Sequence, residues 1–525
     1  MYRYFIIFIS LLFSQGLDYN ADFYDRLFHE INSIDKMEIS SDLFIYPNIQ
    51  KKQDKFYNLT NSNKFKVYPV MAIRYSKSGF EMSENNLVQT LWFSPGIDMR
   101  FNQLLIKSFN SIWMNASFKF YKHSAYGINK DLSLGSTFNN NAEPFALFNP
   151  DFSYGFYKNV QSSIGNGIDF DESIGAISIL SNNFDITFGK FRSSLGPSFY
   201  SNLSLSNTMP AFNQLRTHFN FSDKVFFTFI VGDLFSGLED LPNADLTSDP
   251  NWKVALNRRI YNHRLDLKIN KNFRLGFYEQ VIGLSNVSFS YINPFQLYWS
   301  EQHQQGDVAN LQMGFDFDFI KDKNRLYGGL LIDEWAPYET FSEDENNDGI
   351  DDSRNWFATQ IGFSRLFNLN TGYKNSNGKK WKRNFKGLLK FEYSSAEPQV
   401  YIHKFEINNP YHHGYPIGLW SGGDSIDKRV SFILFISNYE DNTNSIIIDL
   451  GYQNTRIGLP IYEQGVLLLS SNDTKIRDLL YLKIQKPIYF NIDFNFKVGY
   501  YKTENLYSED NFLDISTSLI YNIQK

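Results

Sequence analysis

The chain of 525 residues contains no cysteine. That excludes disulfides, thiolate metal sites and a lipid-modified anchor cysteine, and it fits an oxidising compartment where stray thiols are a hazard. Past the first residues, no uninterrupted apolar stretch is long enough to cross a bilayer as a helix, so any membrane crossing has to use strands closed into a barrel. Positive charge is not in excess either. The formal net charge is -6, which leaves no basic footprint for nucleic acid. Catalytic signatures are missing too: there is no nucleophile elbow, no H-E-x-x-H and no phosphate loop. Adjoining carboxylates such as Asp333 and Glu334 have no spacing that marks an acid/base pair. The chain is expected not to be an enzyme and to need no catalytic cofactor.

What the sequence has in quantity is aromatic side chains, 51 Phe and 33 Tyr, with aromatics at 18% of residues. Mean hydropathy is nevertheless -0.36, so apolar and polar residues must be finely interleaved. Residues 1–16 read as a signal peptide, with Arg3 as the positive charge, an apolar core from Phe5 to Phe13, and the small residues Ser14 and Gly16 at a cleavage site. Residues 17–63 read as a periplasmic helical segment. Within it, from Asp22 to Met37, Phe23, Leu27, Phe28, Ile31 and Ile34 recur at helical spacing with Asp25, Arg26, Glu30 and Asp35 between them. This predicts an amphipathic helix packing on the end of the remaining fold.

From Lys64 to Lys525 the period is two. Met114, Ala116, Phe118 and Phe120 alternate with Asn115, Ser117 and Lys119; Leu265, Leu267 and Ile269 alternate with Asp266 and Lys268. Phe490 to Tyr500 and Leu513 to Ile523 do the same. Such strands put all their apolar side chains on one face. A soluble β-sandwich would share that pattern. The length of the strands, their aromatic apolar faces and the signal peptide favour an all-β fold, a large closed antiparallel transmembrane β-barrel of roughly 16 to 20 strands. The last aromatic, Tyr521, lies slightly inside the C-terminus. Long polar connections at Ser162–Asp171, Glu239–Asn251, Phe341–Asn355 and Asn408–Lys428 are expected on the outer face, where barrels carry recognition.

Some local groups could carry chemistry. Asp344, Asn346, Asp348 and Asp352, with Gly349 at the turn, match the first half of a calcium loop, while Asn355 stands where a full loop has its bidentate Glu. The alternatives are a structural calcium site and a solvated acidic loop. His412 and His413 are the only adjacent histidines, and neighbours of this kind are expected to point apart. Trp335, Tyr338, Trp356 and Trp420 suit either sugar stacking or the aromatic girdle of a membrane barrel.

A series of short motifs resembles the capsule assembly Wzi family. Ile186 to Arg192 followed by Leu195-Gly196-Pro197 looks like its strand and turn, and Leu203 to Pro210 like the stretch after it. Tyr261 to Leu265 is similar to its His-Arg strand start, and Tyr291 to Pro294 to its Asn-Pro turn. Asn310 to Asp316, Leu326 to Gly328 and Ile332 to Glu334 are similar to a strand pair ending on an acidic dipeptide. Tyr411 to Gly414, Pro416 to Gly418 and Gly423 to Ser425 are similar to its late loop. The resemblance implies a monomeric outer-membrane barrel of about eighteen strands with a periplasmic helical part. It also implies a lectin-like anchor for capsular or exopolysaccharide, set among outer-membrane lipid and lipopolysaccharide. Arg192, Ser206, Asn207, His263, Arg264, Asp333, Glu334, His412, Asp424 and Ser425 are the positions this likeness marks as lumen-lining or glycan-binding. A porin or substrate-specific channel is the alternative, and a barrel enzyme is a third reading with no residues to name.

Overall fold

The computed structural model describes residues 18–46, 64–78, 88–106, 111–126, 167–239, 255–284, 289–306, 308–335, 355–368, 371–374, 380–403, 405–413, 415–438, 441–458, 461–463, 466–468, 474–488, 492–504 and 509–521. The expected signal peptide, Tyr338 and the acidic segment from Asp344 to Asp352 lie outside the described residues.

Eighteen antiparallel strands make one closed wall. In chain order they are β1 (Lys64–Ser78), β2 (Val88–Ile106), β3 (Ile112–Tyr126), β4 (Gly167–Leu180), β5 (Phe184–Phe191) and β6 (Phe212–Asn220). Next come β7 (Val225–Glu239), β8 (Ala255–Asn270), β9 (Phe273–Leu284), β10 (Asn310–Lys321), β11 (Asn324–Glu334) and β12 (Trp356–Asn368). The wall ends with β13 (Lys380–Ala396), β14 (Ser425–Asn438), β15 (Asp441–Gly458), β16 (Thr474–Ile488), β17 (Ile492–Glu504) and β18 (Glu509–Tyr521). Each pairs with its neighbours in sequence, and β1 closes on β18 with Met71 opposite Tyr521. Closure leaves no sheet edge unpaired in lipid.

The period-two pattern decides which face is which. On β10, Phe315 and Phe319 are 43% and 37% exposed while Asp316 and Asp318 between them are buried. The same inversion holds for Phe118, Ile269, Tyr500 and Leu513, all exposed on the outward face. A soluble sandwich would bury these faces; here they form the belt of a transmembrane barrel. Residues 167–171, read from sequence as connection, belong to β4.

Tight turns at 181–183, 221–224, 271–272 and 322–323 mark one end of the barrel, and long connections leave from the other. Of the connections expected on the outer face, Asn408–Lys428 does not project outward, and its last four residues belong to β14; the connection 192–211 also turns inward. Residues 192–211 are buried throughout, and 397–424 are buried at Val400, Tyr401, Tyr415, Ile417, Leu419 and Trp420. Both fold back into the lumen, because their apolar side chains have inward-facing Ile230, Ile260, Ile282 and Leu331 to pack on.

The N-terminal helix α1 (Asp18–Lys36) begins earlier than Asp22 and sits inside the short-turn end rather than on it. Leu27, Ile31 and Ile34 share one face at helical spacing and are buried against Phe199, Tyr200, Leu366, Leu388, Ile433, Phe435 and Ile447. Each such side chain contributes roughly 1.5–3 kcal/mol on burial. The chain then runs through Ile39, Phe44 and Ile45 along the lumen, where Ile45–Tyr46 pairs with Ser194–Leu195.

Candidate functional site

The inward faces of β8 to β15 carry buried charge, much of it in groups matched to a partner. On β8 to β10, Arg264 reaches Asp316 at 2.7 Å and Asp266 at 2.8 Å, while Arg274 reaches Asp266 at 2.5 Å and Asp316 at 2.7 Å. Two cations and two carboxylates thus neutralise each other, which a dry site requires. The Phe44 ring lies 4.3 Å from the Arg274 guanidinium and covers the group from the lumen side.

A second group joins the wall to the helix. Glu30 of α1 accepts from Lys390, from Arg325 at 3.0 Å and from Ser364 at 2.7 Å. Arg325 in turn reaches Asp318 at 2.7 Å and the carbonyl of Pro197 at 2.6 Å. At the helix end, Asp35 takes Lys323 at 2.6 Å and Lys386 at 3.0 Å. Beside them Glu392 accepts the Phe199 amide at 2.7 Å and the Tyr327 hydroxyl at 2.5 Å, stitching segment 192–211 to β13 and β11.

A third group holds the later segment. Asp427 accepts Arg429 at 2.7 Å, Thr455 at 2.6 Å, Gln453 at 2.7 Å and the indole N–H of Trp420 at 3.1 Å. The Trp420 ring lies between Arg429 at 5.2 Å and Arg477 at 5.0 Å. Trp420 is therefore a buried post inside the barrel and not a girdle ring, whereas Trp335 is 45% exposed at the long-loop end of β11.

The residues marked from sequence are distributed over this architecture. Ser206 and Asn207 lie in the buried segment: the Ser206 amide donates to Ile417 at 2.7 Å, and Asn207 accepts from Arg26 of α1 at 3.4 Å. They bring all three inward segments together. Arg192 is buried at the start of the same segment. Asp333 accepts the Tyr401 amide at 2.5 Å, while Glu334 closes the same strand opposite Trp356. Ser425 bonds Ser421 at 2.9 Å and the Gly422 carbonyl at 2.7 Å, and Asp424 is tied through its backbone to Glu397 and Gly458.

His412 accepts the Phe235 amide at 3.0 Å, and burial, with His413 alongside, pushes it well below the usual imidazole range. The two histidine rings do not point apart. Their centroids are 4.4 Å from each other, with His413 stacked on Phe235.

His263 departs from the expected placement. It alternates with inward Asn262 and Arg264, so it faces outward, where it meets Glu279 at 2.8 Å and the Tyr298 ring at 4.1 Å. It does not line the lumen.

Sequence reading missed Glu30, Lys390, Arg325, Asp318 and Arg274. The signal for the last two was available, since Asp316 and Asp318 interrupt Phe315, Phe317 and Phe319, and Arg274 is paired across the tight 271–272 turn. Nothing local marks Glu30, which sits among other charged residues of α1.

No protein-family model and no curated protein sequence matches the chain. Among solved structures the chain is similar to Wzi of Escherichia coli, an outer-membrane protein involved in group 1 capsule assembly and a carbohydrate-binding β-barrel. The two share 12% identity and a TM-score of 0.50, over 97% of this chain and 99% of that one. Weaker likenesses are to OccAB4 of Acinetobacter baumannii (8% identity, TM-score 0.44, 88% and 98% covered) and to OpdK of Pseudomonas aeruginosa crystallised with vanillate (9%, 0.43, 87% and 97%). The likeness to Wzi is one of fold. The closed eighteen-strand wall, its apolar outward belt and this shared fold make the chain an outer-membrane β-barrel.

Proposed function

We propose that the chain is a non-catalytic outer-membrane anchor that binds capsular or exopolysaccharide at the cell surface, with α1 and the short-turn end facing the periplasm. The observation that carries this reading is the occupied lumen. Segments 192–211 and 397–424 and α1 meet inside the barrel and are held by matched buried charge. A solute path along β8 to β15 would have to break those groups. The likeness in fold to a carbohydrate-binding barrel supports the choice of ligand class. In this reading Ser206, Asn207, Asp333, Asp424 and Ser425 shape the surface from below, and glycan contacts belong to the long-loop end. The acidic positions Asp344, Asn346, Asp348 and Asp352 are the candidate ligands for a structural calcium, with a solvated acidic loop as the alternative.

Two measurements test the reading together. In planar bilayers the purified barrel should pass little current, and a steady open-pore current would favour the substrate-specific channel instead. In a deletion strain, polysaccharide retained on cells should fall and return on complementation. Unaltered surface polysaccharide would sink the anchor role.

A further inference from the structure

Between β9 and β10 the chain forms two short helices, α2 (Phe289–Ile292) and α3 (Tyr298–Gln305). This insert does not enter the lumen. It packs on the outside of the wall, against Val231, Tyr261, Val281, Leu311 and Met313, which all occupy outward positions of β7 to β10. The Tyr298 ring stacks on His263, its amide donates to Glu279 at 2.9 Å, and its hydroxyl donates to the Tyr291 carbonyl at 2.9 Å. Lower down, Phe295 stacks on outward Phe227 with ring centroids 5.7 Å apart.

The height of the contact matters. His263 is about seven residues from the short-turn end of β8, which at roughly 3.3 Å per residue and a tilt of about 40° is on the order of 18 Å. That falls within the apolar band, about 25 Å tall, of an outer-membrane barrel. A His–Glu pair on the wall at that height would face hydrocarbon, where unpaired polar groups are costly. The insert covers it. Its own outer side is apolar and open: Phe289 is 85% exposed, Phe295 78% and Leu297 56%. Trp299 is partly exposed beside them, and the surface runs on into the exposed wall residues Phe277 and Phe315. Several polar side chains of α3 are bonded locally, Gln302 to the Ala309 carbonyl at 2.8 Å, Gln305 to Glu301 at 2.7 Å and His303 to the Trp299 carbonyl at 2.7 Å, while Gln304 is exposed.

We infer that the insert Phe289–Gly306 is a lipid-contact wedge, which seals the outward His263–Glu279 pair and presents Phe289, Phe295, Leu297 and Trp299 to acyl chains of the outer leaflet. The occupant is lipid because the face is continuous with the barrel's own lipid-facing belt. Its inner side is already filled by the wall.

The experiment uses the full chain in liposomes. The sequence has no cysteine, so Phe289→Cys and Leu297→Cys give single spin-label sites, with Phe277→Cys as the reference on the belt. Labels on the insert should be more accessible to oxygen than to a water-soluble nickel chelate, as at Phe277→Cys. Brominated-acyl lipid should quench an emission component that Trp299→Phe loses. Preferential access to the nickel chelate would put the insert in water and overturn the inference. Protection from both agents, with label–label coupling between molecules, would mean that a second copy covers the face, and would overturn it as well. Heat-shifted migration in detergent gels checks that each variant is a closed barrel. Bromolipid quenching of Trp299 reads the wedge even where a label disturbs its site.

Discussion

Glu30 is where a single residue joins α1 to the wall. Burial alone would raise its carboxyl, but Lys390 and Arg325 more than offset that and hold it down to about 2 from an ordinary 4.5. Asp35, half in water, is also held to about 2, burial being outweighed by bonds from Lys323 and Lys386. A carboxylate depressed in the folded state stabilises fully above its unfolded value and loses that contribution as pH falls through the folded one. Protection of α1 from protease should therefore be flat above about pH 5 and decline from about 4.5 towards 2. Glu30→Gln should remove most of that slope. It should also weaken docking of α1 by about 3–5 kcal/mol, because it takes the carboxylate from buried Lys390 and one of two carboxylates from Arg325. Hydrogen exchange over residues 18–36 at neutral and acidic pH measures both effects. From sequence Glu30 belonged to the polar stripe of an amphipathic helix, a correct reading of the helix that carried no information about its surroundings.

At the scale of an element, the sequence reads Ile186 to Pro197 as a strand followed by a turn, and β5 and a bend at Gly196-Pro197 are both present ahead of the buried segment. Gly196 has φ 128°, and a Cβ there would meet the Asn202 side-chain oxygen at 2.5 Å. Asn202 itself accepts the Ser198 amide at 2.9 Å and donates to Ser194 at 2.8 Å, so the turn and the segment behind it are one unit. Gly196→Ala should cost about 1–3 kcal/mol of local stability through backbone strain. The expected readout is faster proteolysis within 192–211 while the wall keeps its heat-shifted gel migration. Unchanged cleavage would show that the segment does not depend on this conformation. The inward course of the segment was not legible, because Phe199, Tyr200 and Leu203 look the same in a lumen, a loop or a girdle.

At the scale of the molecule, the wall and its contents are separable. Strands β13 and β14 pair along their length from Arg383–Asn438 to Ala396–Ser425, so their connection can be shortened without touching the ladder. Replacing residues 397–424 by a short turn removes Trp420 from Asp427 and Tyr401 from Asp333. The shortened barrel should remain closed and should pass more ion current in planar bilayers than the intact chain. An unchanged current would mean that the other inward segments occlude the lumen by themselves.

The sequence by itself determined the barrel. Period-two alternation, as at Phe315 and Phe319 around Asp318, is shared with a sandwich, and the length and aromatic character of the strands, with the signal-like first residues, favour a barrel, in which closure pairs every backbone group. It also placed α1, because three apolar residues at helical spacing need a surface to cover. Only the tertiary structure decided which way the connections turn and which face of the wall each polar residue meets. Arg264 and His263 are neighbours in sequence, yet one closes an ion network inside the lumen and the other is sealed beneath Tyr298 on the membrane side. Alternation assigns adjacent residues to opposite faces. What waits on each face is brought there by segments tens to hundreds of residues away, and no local pattern encodes their arrival.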